Sequence, residues 1–375
     1  MLVVGGGPVG LATAIHARLA GMEVAVFDRA HPPIDKACGE GLMPGGVAIL
    51  RALGVELDPD GCSPFRGIRY LDGGVVAEGL FPDGPGLGVR RLHLHPGMVA
   101  RAEALGVELR WGTEVTGLTA AGLQHAGGEE RGGLIVGADG LRSRVRALAG
   151  LEGPRRGLWE RFGVRQHFRV KPWTDLVEVH WADGCEAYVT PVGPELVGVA
   201  FLLSGMRARF PEMLARFPAL AKRLEGAEAD SQVRGLGPLA QRAGAVLRPG
   251  PVPVALVGDA SGYRDAITGE GLSLGFHGAK AVIDLAAGGQ LERWPRLHRR
   301  MVRMPFALID LLLWVERSPW LRRRVVGALA REPEVFGRML AVNDGAPIGS
   351  LGVDGLLRLG LGLLRGAEAA KERLA

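Results

Sequence analysis

The chain has 375 residues, 47% of them hydrophobic and 23% charged, and carries a formal net charge of +5. Those proportions suit a globular protein of about two domains and set aside the disordered, collagen-like and disulfide-scaffold classes. The modest basic excess permits an anionic ligand or surface but calls for no nucleic-acid partner, and three cysteines, Cys38, Cys62 and Cys185, fit a reducing, cytoplasmic setting.

The sequence opens as a buried strand, Leu2–Val4, with no basic leader before it, so no secretory signal is expected. Gly5, Gly7 and Gly10 then spell G-x-G-x-x-G, residues 11–19 supply helix formers, and an apolar strand returns to Asp28. Gly5 permits the tight turn, Gly7 lets the backbone approach a pyrophosphate, and Gly10 allows close helix–strand packing. The helix N-terminus faces the phosphates. Asp28, 18 positions after Gly10, is placed to accept hydrogen bonds from a ribose, with Arg29 beside it. In a chain with 59 glycines the spacing alone means little, but the strand, helix and acid around it mark a dinucleotide site. This unit by itself leaves NAD and FAD open.

Next comes "PIDKACGEGLMP" (33–44), which sets Cys38 in a glycine-rich, charged loop, unlike the apolar cores where free cysteines usually sit. "RRLHLHPGM" brings Arg91, Leu94 and Met98; His93 and His95 lack companion ligands there, so no metal is expected. "LIVGADGLRSRVR" (134–146) is a strand running into Asp139 and Gly140, then Ser143 and Arg146. Residues 66–91 and 156–244 hold short alternating apolar runs between Gly and Pro turns, read as antiparallel strands, with Tyr188 and Pro191 in one of them. A later strand ends at Gly258 and Asp259, and Gly269 and Gly271 precede a helix whose N-terminus suits an anionic group. Residues 299–326 alternate arginine clusters with apolar faces, the pattern of a helix packed on its own domain or in peripheral contact with an anionic membrane. The most apolar stretch, 304–315, contains Asp310 and is too short to span a bilayer. The leucine-rich tail reads as a docking helix without an assigned role.

The glycine fingerprint, D-G-x-x-S-x-x-R and G-D, in that order, resemble the FAD-dependent oxidoreductases of the para-hydroxybenzoate hydroxylase and geranylgeranyl reductase superfamily over residues 1–300. The resemblance implies FAD as cofactor. It places Asp259, after Gly258, on the flavin's ribityl chain, and the amides of Gly269, Gly271 and Leu272 near the pyrimidine edge of the isoalloxazine. It has Asp139 closing the cofactor site and Arg91 lying along the FAD. Residues 33–39 resemble the P-x-x-K-x-C-G segment of geranylgeranyl reductases, which implies that Cys38 faces the substrate cavity beside the flavin, framed by Lys36 and Glu40. A neighbouring lysine favours thiolate, so Cys38 is the candidate catalytic proton donor; the alternative is a small packing side chain. Tyr188 and Pro191 stand where those reductases carry an aromatic Y-x-W-x-F-P-like segment and are the candidate substrate contacts. Its missing aromatics argue against a long isoprenoid substrate, and the absent W-x-W-x-I-P argues against halogenation.

The expected fold is α/β: a doubly wound, Rossmann-like FAD-binding domain (1–65, 92–155 and 245–330) with an inserted antiparallel β-sheet substrate domain (66–91 and 156–244) and a C-terminal helical tail (331–375). The resemblance implies a flavoenzyme reduced by NAD(P)H, which binds transiently because no second glycine fingerprint is present. An NAD(P)H-reduced monooxygenase hydroxylating an apolar or aromatic small molecule is the preferred activity. A geranylgeranyl-reductase-like enzyme acting on carbon–carbon double bonds is the alternative, and a non-catalytic flavin-binding protein the third. Nothing in the sequence indicates the oligomeric state.

Overall fold

The computed structural model describes residues 1–153, 161–205 and 208–365. The principal elements begin with β1 (Leu2–Val4), α1 (Pro8–Leu19), β2 (Ala25–Asp28) and α2 (Pro44–Ala52). The hairpin β3 (Gly67–Asp72) and β4 (Val75–Leu80) follows, then α3 (Arg91–Ala104), β5 (Glu108–Trp111) and β6 (Ile135–Gly137). Four strands come next: β7 (Arg161–Arg169), β8 (Val177–Ala182), β9 (Cys185–Gly193) and β10 (Leu196–Ser204). After β11 (Val254–Leu256) the chain is helical, with α4 (Gly271–Ala287), α5 (Trp294–Glu316), α6 (Pro319–Arg331), α7 (Pro333–Asn343) and α8 (Gly352–Arg365).

Two sheets organise these elements. In the first, β11, β6, β1, β2 and β5 are parallel neighbours, extended by the antiparallel strand Leu247–Arg248. Its central strands are short apolar runs with Val3, Val26 and Val136 fully buried, as a sheet covered on both faces requires. In the second sheet the order is Glu228–Ala229, β7, β10, β9, β8, β3, β4, with Arg234–Leu236 also on β7.

The second sheet departs from the expected antiparallel pattern at one seam. There β3 and β8 run parallel, Ile68 facing Val177 and Leu71 facing His180. After β4 the chain leaves to build α3, β5 and β6 before returning, and so long a crossover is what a parallel pair needs. The expected division at 155–156 lies outside the described residues, as do residues 366–375 of the tail. The hairpin β3–β4 is covered by α6 and α7. Phe336 of α7 sits over Gly79, where a Cβ would come within 2.7 Å of its ring, and 4.8 Å from the Tyr70 ring. Among the described residues no helix is long and apolar enough to cross a membrane.

Candidate active site

One cavity of about 1390 Å³ is lined by both sheets and by the C-terminal helices. At its nucleotide end the backbone sets the shape. Gly5 has φ +107, and a Cβ there would come 2.5 Å from the Ala138 oxygen; one on Gly10 would come 1.8 Å from the Gly5 oxygen. Gly10 therefore serves packing and does not line the cavity. Gly7 does line it, with nothing within 4 Å of where its Cβ would be. Asp28 accepts from the Gly6 N–H at 2.7 Å and the Ala30 N–H at 2.8 Å, which stiffens the turn and leaves lone pairs for a ribose hydroxyl. Arg29 is exposed at the cavity rim. Fully buried His95, which the motif does not include, bonds the Gly6 oxygen through Nε2 at 2.8 Å.

The second motif continues the same wall. One Asp139 oxygen accepts from the Arg144 and Val145 N–H groups at 2.7 and 3.0 Å, while the other is buried without a partner. Buried Arg146 donates to the Leu141 and Ala260 oxygens, both at 3.0 Å, and so joins this motif to the third. An open glycine turn at a helix N-terminus beside an unpartnered carboxylate oxygen fits a dinucleotide's phosphates and ribose hydroxyls.

In the third motif Gly258 has φ +57 and packs on Val9 rather than lining the cavity, whereas Asp259 lines it, 4.0 Å from the Lys36 ammonium. Gly269, at φ +72, and Gly271 and Leu272 at the start of α4 face the same space. Behind this loop Asp265 pairs with Arg161 at 3.0 Å, and Arg161 also meets Glu186 at 2.7 Å and Glu316 at 3.6 Å. Burial pushes the Glu186 carboxyl up to about 7 against the pull of Arg161, and it raises Asp265 and Glu316 as well. Burial also drives Glu270 well above the carboxylate range, and the charge of Asp344 adds to it.

Cys38 lines the cavity between these motifs, and the Glu40 N–H approaches its Sγ at 3.4 Å. Lys36, expected at the thiol, has its ion-pair contact with Asp259. Glu40 is buried; its carboxylate accepts from the Arg91 N–H at 3.0 Å, bonds His167 Nε2 and lies 3.6 Å from Arg165. His167 in turn meets Ser231 Oγ at 2.9 Å. His167 and Arg165 escaped the sequence reading because they arrive from β7, His167 standing 127 positions from Glu40. The buried Arg91 side chain lines the cavity at the start of α3.

The two candidate substrate contacts separate. Tyr188 lines the cavity and donates from its hydroxyl to the Ile267 oxygen at 3.0 Å. Pro191 does not line it. Alternation along β9 sends Tyr188 and Thr190 to the cavity face and Pro191 to the other, where its carbonyl abuts Gly88. Beyond Tyr188 the walls turn apolar, with Val177, Val179, Leu312, Val325, Leu329, Phe336 and Leu359 among them.

A parallel sheet whose strand ends carry this cleft defines a dinucleotide-binding domain. The FAD binding domain family matches residues 1–191, and the chain belongs to it, as an FAD-dependent oxidoreductase of the para-hydroxybenzoate hydroxylase-like superfamily. It is 28% identical over 349 residues to a menaquinone reductase of Mycolicibacterium smegmatis, covering 84% of this chain and 85% of that one. It is 36% identical to the 6-methylpretetramide 4-monooxygenase of Streptomyces rimosus over 172 residues, 40% of each chain. A flavoprotein/dehydrogenase from Cytophaga hutchinsonii shares the fold, with TM-score 0.80 and 18% identity over 97% of both chains.

Proposed function

We propose that this FAD-dependent oxidoreductase reduces a carbon–carbon double bond in an apolar, chain-bearing substrate such as a quinone, with electrons from transiently bound NAD(P)H. The observation that carries this reading is the continuity of the cavity from the glycine turns, past Cys38, to the apolar wall of α5–α8. The similarity to a menaquinone reductase over most of both chains supports it. FAD bound in the cleft would supply a two-electron carrier able to pass a hydride to carbon. In this reading Gly5, Gly7, Asp28, Arg29 and Asp139 hold the nucleotide half. Arg91 and Asp259 hold the middle, and the amides of Gly269, Gly271 and Leu272 hold the pyrimidine edge. Cys38 gives the proton from Sγ to the carbon beside the one that receives hydride, and the Glu40 N–H steadies the thiolate left behind. The substrate gains two hydrogens, and apolar walls keep water from the reacting carbon.

The expectation against an isoprenoid chain rested on aromatics missing near Tyr188 and Pro191. Pro191 lies off the cavity, and α5–α8 supply the hydrocarbon lining instead. Three unpaired cysteines suit a cytoplasmic enzyme. Hydroxylation of an aromatic molecule is the second reading, favoured by the identity to the Streptomyces monooxygenase. The two separate on product mass when FAD-loaded protein, NAD(P)H and a menaquinone are incubated with and without oxygen. Two added hydrogens that survive chemical reoxidation of any quinol support reduction of a carbon–carbon double bond, whereas one added oxygen atom, formed only in air, replaces it with hydroxylation.

A further inference from the structure

The apolar wall of the cavity reaches the surface. Of twelve exposed large hydrophobic residues among those described, eight fall between Met304 and Leu361. Leu311 and Trp314 of α5 are 52% and 62% exposed and also line the cavity, so they stand at its mouth. On α8 the sides divide by helical period: Leu359 and Leu363 line the cavity, whereas Val353, Leu357 and Leu361 form an exposed stripe at i, i+4 and i+8. Contacts from α6 hold α8 in place, Arg324 Nε donating to the Leu363 oxygen at 2.8 Å and Arg331 to the Gly362 oxygen at 2.6 Å. The Arg324 guanidinium also lies 4.6 Å from the centre of the Trp320 ring, itself 65% exposed.

Charge says what such a collar meets. Residues 294–331 hold nine arginines, one of which, Arg322, is buried on Asp72, and two acids. Of the acids, Glu316 is buried against Arg161 and Asp310 pairs with Arg264. Arg300, Met304, Leu311 and Trp314 are all exposed and repeat at helical spacing along α5, so a basic end runs into an aromatic one. Tryptophan with arginine above a leucine stripe is the chemistry of a surface lying in the headgroup layer of an anionic bilayer.

We infer that α5, the start of α6 and α8 form a membrane-docked portal through which the substrate enters from the bilayer. The docking goes beyond residues 299–326 to give the C-terminal helix a role; what passes through the portal rests on the reductase reading. The test uses FAD-loaded full-length protein with vesicles of phosphatidylcholine alone or with added phosphatidylglycerol. Wild-type protein should float with the anionic vesicles and at least tenfold less with neutral ones. The double variant L357D/L361D touches no cavity wall; it should keep FAD and melting temperature while losing flotation at least tenfold. It should also reduce vesicle-embedded menaquinone poorly yet turn over a short-chain, water-soluble quinone at the wild-type rate. A variant that loses flotation while neither protein reduces either quinone supports docking and overturns only the reductase reading. Absence of wild-type flotation overturns the portal. A wild-type dimer that the variant splits into monomers would overturn it too, assigning the face to a second copy.

Discussion

At the nucleotide end of the cavity one added methyl group on Gly10 would collide with the Gly5 carbonyl, whereas at the apolar end Leu312, Val325 and Leu329 present exchangeable hydrocarbon. The first region is shaped by backbone and helix N-termini, the second by side-chain bulk. A backbone-built site has no slack, because no rotamer can absorb an intrusion; a side-chain wall can repack. Substitutions should therefore fail abruptly at one end and grade smoothly at the other.

The sharpest break is Gly10→Ala, expected to leave purified protein with less than about a tenth of its FAD by absorbance, since the 1.8 Å approach forces the turn apart. Full FAD retention would show that the turn yields after all. Cys38→Ser lies between the two ends; it should keep FAD yet lower kcat by about a hundredfold, the usual worth of a positioned proton donor. Unchanged kcat would leave Cys38 a packing residue. At the apolar end Val325→Trp should raise KM for a long-chain substrate about tenfold, leave a short one unaffected and retain FAD, because only bulk is added to the wall.

That contrast also governs what could be read from the chain. The turn of Gly5, Gly7 and Gly10 was legible because glycine spacing follows local backbone geometry, which a sequence carries directly, whereas Asp139 and Asp259 stood out through the resemblance that their motifs carry. The apolar wall was not, since leucines on α5 and α8 look the same whether they pack, line a cavity or face outward. Nor was the parallel seam between β3 and β8, because alternation gives faces and not strand direction. The partnership of Glu40 with His167 depends on β7 folding back over the loop, and no local pattern announces it.

The smallest expected effect sharpens the comparison at the junction of α2, α4 and α7. Asp344 of that junction accepts from the Gly45 N–H at 2.6 Å, and burial pushes its carboxyl up to about 6. A folded pKa above the unfolded one means that the proton is held more tightly in the folded state. The resulting stability is complete below about pH 4 and lost as pH rises through about 6. Asp344→Asn should abolish that dependence and add about 1–2 kcal/mol at pH 8, discounted for partial exposure, or about 1–3 °C by calorimetry. An unchanged slope of melting temperature against pH would exclude this carboxyl as its source.

Glu40 has a consequence for which residues the chain can accept. It is the one non-glycine residue with positive φ among those described, at 59°. That backbone region costs an ordinary residue about 1–2 kcal/mol and welcomes glycine or asparagine. Those replacements would relieve the main chain but strand the Arg91 amide, His167 and Arg165 without the carboxylate they share. Two selective pressures thus pull in opposite directions at a single codon. In a randomised library screened for flavin retention and turnover, position 40 should stay glutamate while its glycine neighbours Gly39 and Gly41 drift more freely.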